Sequence, residues 1–209
     1  MANYLDTKQI MQLDRLTRLN LINSISGIQN VHLIATKSKK GVSNLSIINS
    51  VVHIGSNPPL LGFINRPAKN FRRDTINNLN YDPFFTINNV EKSKIKNAHL
   101  TSGKYPQNIS EFKECGFKEI YIDSFPIPFV KSSNIKIGLE MVERINITLN
   151  NTILIVGLVK ILQVPDDFLK NTEKYTVGSV GLNSYYSIKK LDSFKYVSIK
   201  NTNSETTKS

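Results

Sequence analysis

The chain has 209 residues and a formal net charge of +11, with 40% hydrophobic and 21% charged residues. That composition belongs to a globular protein rather than a disordered or collagen-like one, and a chain of this length buries enough surface to need no covalent staples. The single cysteine, Cys115, excludes an intramolecular disulfide framework and any multi-cysteine metal site, and His32, His53 and His99 carry no HExxH spacing.

The N-terminus has no basic segment followed by an apolar stretch, which predicts an unprocessed, cytoplasmic protein. The longest apolar run, Thr152 to Leu162, is interrupted by Lys160 and is too short to cross a bilayer. Residues 7–24 place Ile10, Leu13, Leu16, Leu19 and Ile22 at steps of three, a helical stripe with Thr7 as its N-cap. Two β-rich runs flank the polar turn Lys37 to Gly41 and predict a hairpin whose second arm runs from Val42 to Gly55. Asn57-Pro58-Pro59 stops that arm, and Leu60 to Asn65 is the next strand.

Residues 66–80 read as a short helix with Pro67 in its first turn. A strand follows at Pro83 to Asn88, then helical segments over Glu91 to Ser102 and from Ser110 to a C-terminal Gly116. Phe117 to Asp123, Phe129 to Ile147 and Thr152 to Val164 read as strands, the last fit for the centre of a sheet. Residues 176–186 are irregular with a strand at their start, and 201–209 form a polar, disordered tail. No linker or repeat divides residues 1–200, so one domain is expected: many short strands decorated by short helices, a β-barrel pattern.

Chemistry concentrates in two places. Between residues 66 and 104, eight Lys/Arg side chains, Arg66, Arg73 and Lys104 among them, stand against three acidic ones. With Thr75 and Ser102 close by in sequence, they suit a small anion, because guanidinium groups bond two phosphate oxygens at once. A solvated basic surface and a nucleic-acid patch are the alternatives, although Phe71, Tyr81 and Tyr105 are too scattered for a base-stacking platform. The second place is Ser43 to Ser50, unusually rich in Asn and Ser for a strand. Such a strand offers side-chain and main-chain donors to a flat polar heterocycle, or is an exposed or dimer-facing strand. Weaker still, Gly178-Ser179-Val180-Gly181 lacks the dinucleotide-binding spacing and has no helix pattern after it. Cys115 reads as a buried or half-buried thiol, His53 as a packed strand histidine, and no carboxylate pair is arranged for acid–base work.

One ordered series of residues is more specific than any of these features. It comprises Gly41-Val42-Ser43-Asn44-Leu45, Asn49 to Ile64, Arg66-Pro67, Arg73 with Thr75, Phe85-Thr86-Ile87-Asn88, Ala98-His99, Thr101-Ser102, Lys104-Tyr105-Pro106, Ser110-Glu111-Phe112 and Gly181 to Tyr185. Over residues 8–197 the chain resembles the flavin reductase-like, FMN-binding split-barrel family. The resemblance implies a six-stranded antiparallel split β-barrel, a homodimer, and FMN near the subunit boundary. It implies that Asn44, Leu45, Ser46, Asn49 and Ser50 lie along the isoalloxazine ring and bond its polar edge. Arg66, Arg73 and Thr75 then lie at the FMN phosphate, and Lys104 with Thr101 and Ser102 forms a second phosphate-side group. His99 stands near the flavin or the nicotinamide approach, and Tyr185 covers the ring from one subunit or the other. The implied activity is hydride transfer from NAD(P)H to flavin N5, with electrons passed onward to an acceptor; the flavin does the chemistry, and His99 is the one side chain placed to assist. An FMN electron carrier without nicotinamide use is the alternative within this fold, and a basic β-barrel binding nucleic acid the alternative outside it. The chain departs from the family pattern at Asp74, where histidine is common, at Asn89, also a common histidine position, and at Gly103, where alanine is usual.

Overall fold

The computed structural model describes residues 4–67 and 73–194. Helix α1 (Thr7–Gln12) is capped by Asp6, whose carboxylate accepts from Gln9 N while the Gln9 side chain returns to Asp6 N. The expected single helix is broken: the Asp14 carboxylate accepts from Leu16 N and Thr17 N and starts α2 (Arg15–Ile25) afresh. Asp6, not Thr7, is therefore the first cap, and the apolar stripe is not a core face, since neither helix has a buried residue.

Strands β1 (Gln29–Asn30) and β2 (His32–Lys37) follow, then β3 (Ser43–Ile48), β4 (Val51–Ser56) and β5 (Pro59–Asn65). The Lys37 to Gly41 hairpin forms as expected, with Ser38 Oγ accepting from Val42 N. Its second arm does not run to Gly55. It breaks at Asn49-Ser50, and β3 and β4 end on opposite margins of the sheet. Helix α3 covers Asp74–Leu79, shorter than the expected 66–80, of which 68–72 lie outside the described residues. Strand β6 (Phe84–Asn89), a single 3-10 turn (Lys92–Lys94), α4 (Ile95–Leu100) and α5 (Glu111–Glu114) come next. Gly116 takes φ +72° just past α5, a left-handed stop that glycine adopts without steric cost.

Pairing in the 117–135 segment is limited to β7 (Glu119–Ile120) and β8 (Phe129–Val130). Long β9 (Lys136–Ile147) and β10 (Thr152–Gln163) form a hairpin, and β11 (Val177–Val180) and β12 (Ser184–Ser187) a smaller one. The main sheet has seven strands in the order β3-β2-β6-β9-β10-β5-β4, all antiparallel, one more than the six expected. The extra strand arises from the break at Asn49-Ser50. With β3 and β4 unpaired to each other, the barrel is split. The tail 201–209 lies outside the described residues.

Side-chain alternation divides the core. Ile34, Ile87, Leu139, Ile155, Phe63 and Phe85 pack together, capped by Ile76 and Leu79 of α3. Phe63 meets Phe85 edge to face at 5.5 Å. A Cβ on Gly157 would stand 2.6 Å from the Phe85 ring, so glycine makes room for that ring. The opposite face of β2 and β3 carries Leu33, Ala35 and Leu45 against Ala98, Phe112, Cys115, Phe125 and Phe129.

His32 shares the strand face of Ile34, and its Nδ1 is buried without a hydrogen-bond partner. Burial pulls its pKa from 6.5 to about 4. The unfolded chain takes up this proton near pH 6.5 and the folded chain only near 4, so stability is full above about 6.5 and falls as pH drops towards 4. Denaturant midpoints measured across that window should slope for the native chain and flatten for His32→Asn; equal slopes would remove His32 as the source.

Candidate functional site

A cavity of about 430 Å³ opens beside the split. Its floor is β3 and the break after it, carrying Asn44, Ser46, Asn49 and Ser50. The end of β5 contributes Phe63, Ile64 and Arg66; the start of α3 contributes Arg73, Asp74 and Thr75; the turn after α4 contributes Thr101, Ser102, Gly103 and Lys104. These segments lie far apart in sequence; β3 and β4 are the two unpaired margins of the sheet, and β5 lies beside β4. Of the residues expected at a ligand site, ten line this space.

Its lining combines cationic, hydroxyl and apolar groups. The Arg66 guanidinium donates to Asn23 Oδ1 at 3.0 Å, while half-buried Arg73 is held below its ordinary pKa by burial and then by the charge of Arg66. Two guanidiniums close enough to repel each other favour an anion between them. Asn44 Nδ2 donates to Thr75 Oγ1 at 3.3 Å, tying the strand to the helix start. Ile47 and Ile48 of β3 and Phe63 of β5 add apolar lining. Guanidinium, ammonium and hydroxyl groups beside a flat, half-apolar floor fit a phosphorylated planar heterocycle, and the volume falls within the usual range of cofactor sites.

Several expected residues have other duties. The Leu45 side chain is fully buried in the core, and its N–H donates to Glu111 Oε2 at 3.0 Å. The buried Thr101 hydroxyl accepts from Ile47 N at 2.8 Å and donates to Ala98 O at 2.7 Å, so it fastens the cavity wall and has no proton left for a phosphate. Ser50 Oγ accepts from Ile64 N at 3.2 Å and donates to Ile64 O at 3.1 Å, bridging the break to β5. Ser50→Val should therefore act on the fold as well as on the site. It orphans two backbone groups and should lower stability by about 1–3 kcal/mol, read by chemical denaturation of the ligand-free protein. An unchanged midpoint would return Ser50 to a purely ligand-facing role.

His99 and Tyr185 do not line the main cavity. They meet 86 residues apart, His99 Nδ1 and Tyr185 Oη lying 2.7 Å from each other with the rings edge to face. Tyr185 borders an adjoining space of about 200 Å³ that shares Ile47, Ile48, Asn49, Arg66 and Ser102 with the main cavity. Asn49 Nδ2 donates to Ser179 Oγ at 3.2 Å and joins β3 to the β11–β12 hairpin.

Of the three departures, Asp74 lines the cavity, and Gly103 and Asn89 have local packing roles. A Cβ on Gly103 would stand 2.8 Å from the Tyr105 ring, which glycine admits over the turn. Asn89 is buried away from the cavity, accepting from Ile135 N and donating to Tyr175 O. His53 is exposed on edge strand β4 rather than packed. Cys115 is buried as expected, and burial raises its pKa. Sequence reasoning missed Glu111, Tyr105, Phe63 and the Ile47-Ile48 wall as cavity residues. For Glu111 the signal was a carboxylate beside Phe112 in a short helix that the core must cover.

The family model described as flavin reductase like domain matches residues 27–179. A protein from Shewanella frigidimarina NCIMB 400, assigned as a flavin reductase with a split barrel domain, is 35% identical with a TM-score of 0.88, covering 94% of this chain and 100% of its own. Nitrilotriacetate monooxygenase component B from Bacillus cereus is 17% identical with a TM-score of 0.81, covering 92% and 100%. The NADH:FAD oxidoreductase SgcE6 of Streptomyces globisporus C-1027 is 12% identical with a TM-score of 0.70, covering 91% and 99%; at such identities the likeness is one of fold. No curated protein matches the chain. With a family model covering most of its length, a relative above 30% identity and a split barrel with a phosphate-suited cavity at its open margin, the chain belongs to the flavin reductase-like family.

Proposed function

We propose that the chain is an NAD(P)H-dependent flavin reductase that holds FMN in the 430 Å³ cavity and passes electrons to a further acceptor. The observation that carries this reading is the convergence of Arg66, Arg73, Thr75, Ser102 and Lys104 on one cavity lined by the polar strand β3. When bound, flavin supplies the redox chemistry, accepting a hydride from reduced nicotinamide and releasing electrons onward. The chain's own residues bind and orient it. The two arginines and Lys104 take the phosphate; Asn44, Ser46 and Asn49 offer polar contacts along the ring; Ile47, Ile48 and Phe63 exclude water from one side. Tyr185 borders the adjoining space, on the approach of the nicotinamide, and His99 reaches it through the Tyr185 hydroxyl.

The basic residues converge on a concave site, which favours a small phosphate-bearing ligand over a nucleic-acid face. Among the described residues no helix is long and apolar enough to cross a membrane. A homodimer accords with the outer sheet face, where Val52, Ile54 and Ile145 are 40%, 42% and 42% exposed and Ile54 meets Leu154 over Gly62. That face reaches Ile64, which also lines the cavity, so a second copy would close the site.

The test is the visible spectrum of the purified protein with added FMN, followed by NADH or NADPH without oxygen. Flavin binding and bleaching of its band support the reading. Binding without bleaching favours an electron carrier. No binding, with salt-dependent affinity for DNA or RNA instead, overturns it. Light scattering on the same sample should give a dimer; a monomer with flavin still tightly held contradicts the assembly.

A further inference from the structure

Strand β3 stands at the end of the seven-strand order, so one of its edges has no strand beside it. Such an edge offers backbone N–H groups to any ligand or strand that approaches. Here the offer is closed by side chains. Leu45 N donates to Glu111 Oε2 at 3.0 Å and Ile47 N to Thr101 Oγ1 at 2.8 Å, two outward donors one strand period apart. Thr101 is 3% and Glu111 6% exposed, yet both line the cavity. The Thr101 hydroxyl is oriented: its proton goes to Ala98 O of α4, its lone pair to β3.

Each bond joins the cavity floor to a different wall. Glu111 ties β3 to α5. Thr101 ties it to the C-terminal end of α4, where Ser102 and Lys104 begin. We propose that Thr101 and Glu111 are positioning residues of the flavin site: they set the separation between the polar floor and the Ser102–Lys104 wall, and they withdraw the β3 N–H groups so that side chains do the recognition there. This inference rests on the flavin-site reading above.

Thr101→Val keeps the shape and removes the hydroxyl, leaving Ile47 N without its acceptor and the wall without its fastening. Its FMN dissociation constant should rise about tenfold. Thr101→Ser keeps the hydroxyl and should stay within about twofold of wild type. Because Thr101 acts through the segment bearing Lys104, the loss should be non-additive with that of Lys104→Met. The readouts are FMN titration by fluorescence quenching and thermal melts of flavin-free protein. A wild-type chain that binds no FMN overturns the site reading and this inference with it. Wild-type binding with an unaltered Thr101→Val, or with fully additive losses in the double variant, overturns this inference alone. So does a Thr101→Val chain that fails to fold while Thr101→Ser folds and binds normally, because the hydroxyl would then serve the fold and not the site.

Discussion

Arg73→Ala should raise the FMN dissociation constant roughly 10- to 100-fold, because charge-assisted hydrogen bonds are worth about 1.5–3 kcal/mol and a tenfold change corresponds to about 1.4 kcal/mol. Arg73 lines the cavity at the start of α3, half-buried, with its charge opposed by burial and by Arg66. An anionic phosphate relieves both penalties, so the residue should matter more with ligand than without. Titration of ligand-free protein with FMN and, in parallel, with riboflavin isolates the effect. The loss should appear for FMN and largely vanish for riboflavin, which has no phosphate. Arg73→Lys should fall between, since it keeps the charge and loses the planar fork. Equal losses for both flavins would take Arg73 away from the phosphate end.

Phe85→Ala should cost about 3–5 kcal/mol of folding stability, among the larger penalties for truncating one core side chain. The ring is fully buried, meets Phe63 edge to face, and fills the space that Gly157 leaves open. Denaturant unfolding of the ligand-free protein measures the loss. The glycine supplies an internal control. Gly157→Ala alone drives a Cβ into the Phe85 ring and should destabilise, but in the Phe85→Ala background that methyl enters the vacated space. The two substitutions should therefore couple favourably. Simple additivity would mean that the glycine is not there to seat the ring.

The interior explains why the site could be read only in part. Strand positions were legible where a short apolar run stands between polar or turn residues, as in β5, β6 and the centre of β10, because a strand covered on both faces needs apolar side chains on both. The N-terminal segment was misread for the complementary reason. Steps of three mimic a packed helix, but Asp14 bonds the next turn's N–H groups and restarts the chain, and no partner element covers the stripe. Asn49-Ser50 does not stand out as a break because Asn and Ser, both turn formers, recur throughout 43–50 and mark no single position. The break is fixed by Ser50 bonding Ile64, one position beyond the Val51–Phe63 pair of β4 and β5, a contact that exists only once β5 is in place.

The residues themselves determined the family, the β-rich class, and the list of polar and basic side chains from which a phosphate-binding site can be made, because residue type and order are carried by the chain alone. The tertiary structure decided which of them face the ligand space. Thr101 and Ser50 look like ligand contacts in sequence, yet their hydroxyls are committed to backbone groups of β3, α4 and β5. Glu111 carries no ligand or packing role in the sequence reading and is buried against a strand edge. A buried backbone N–H must find an acceptor, and which side chain supplies it depends on elements that meet only when the barrel has folded.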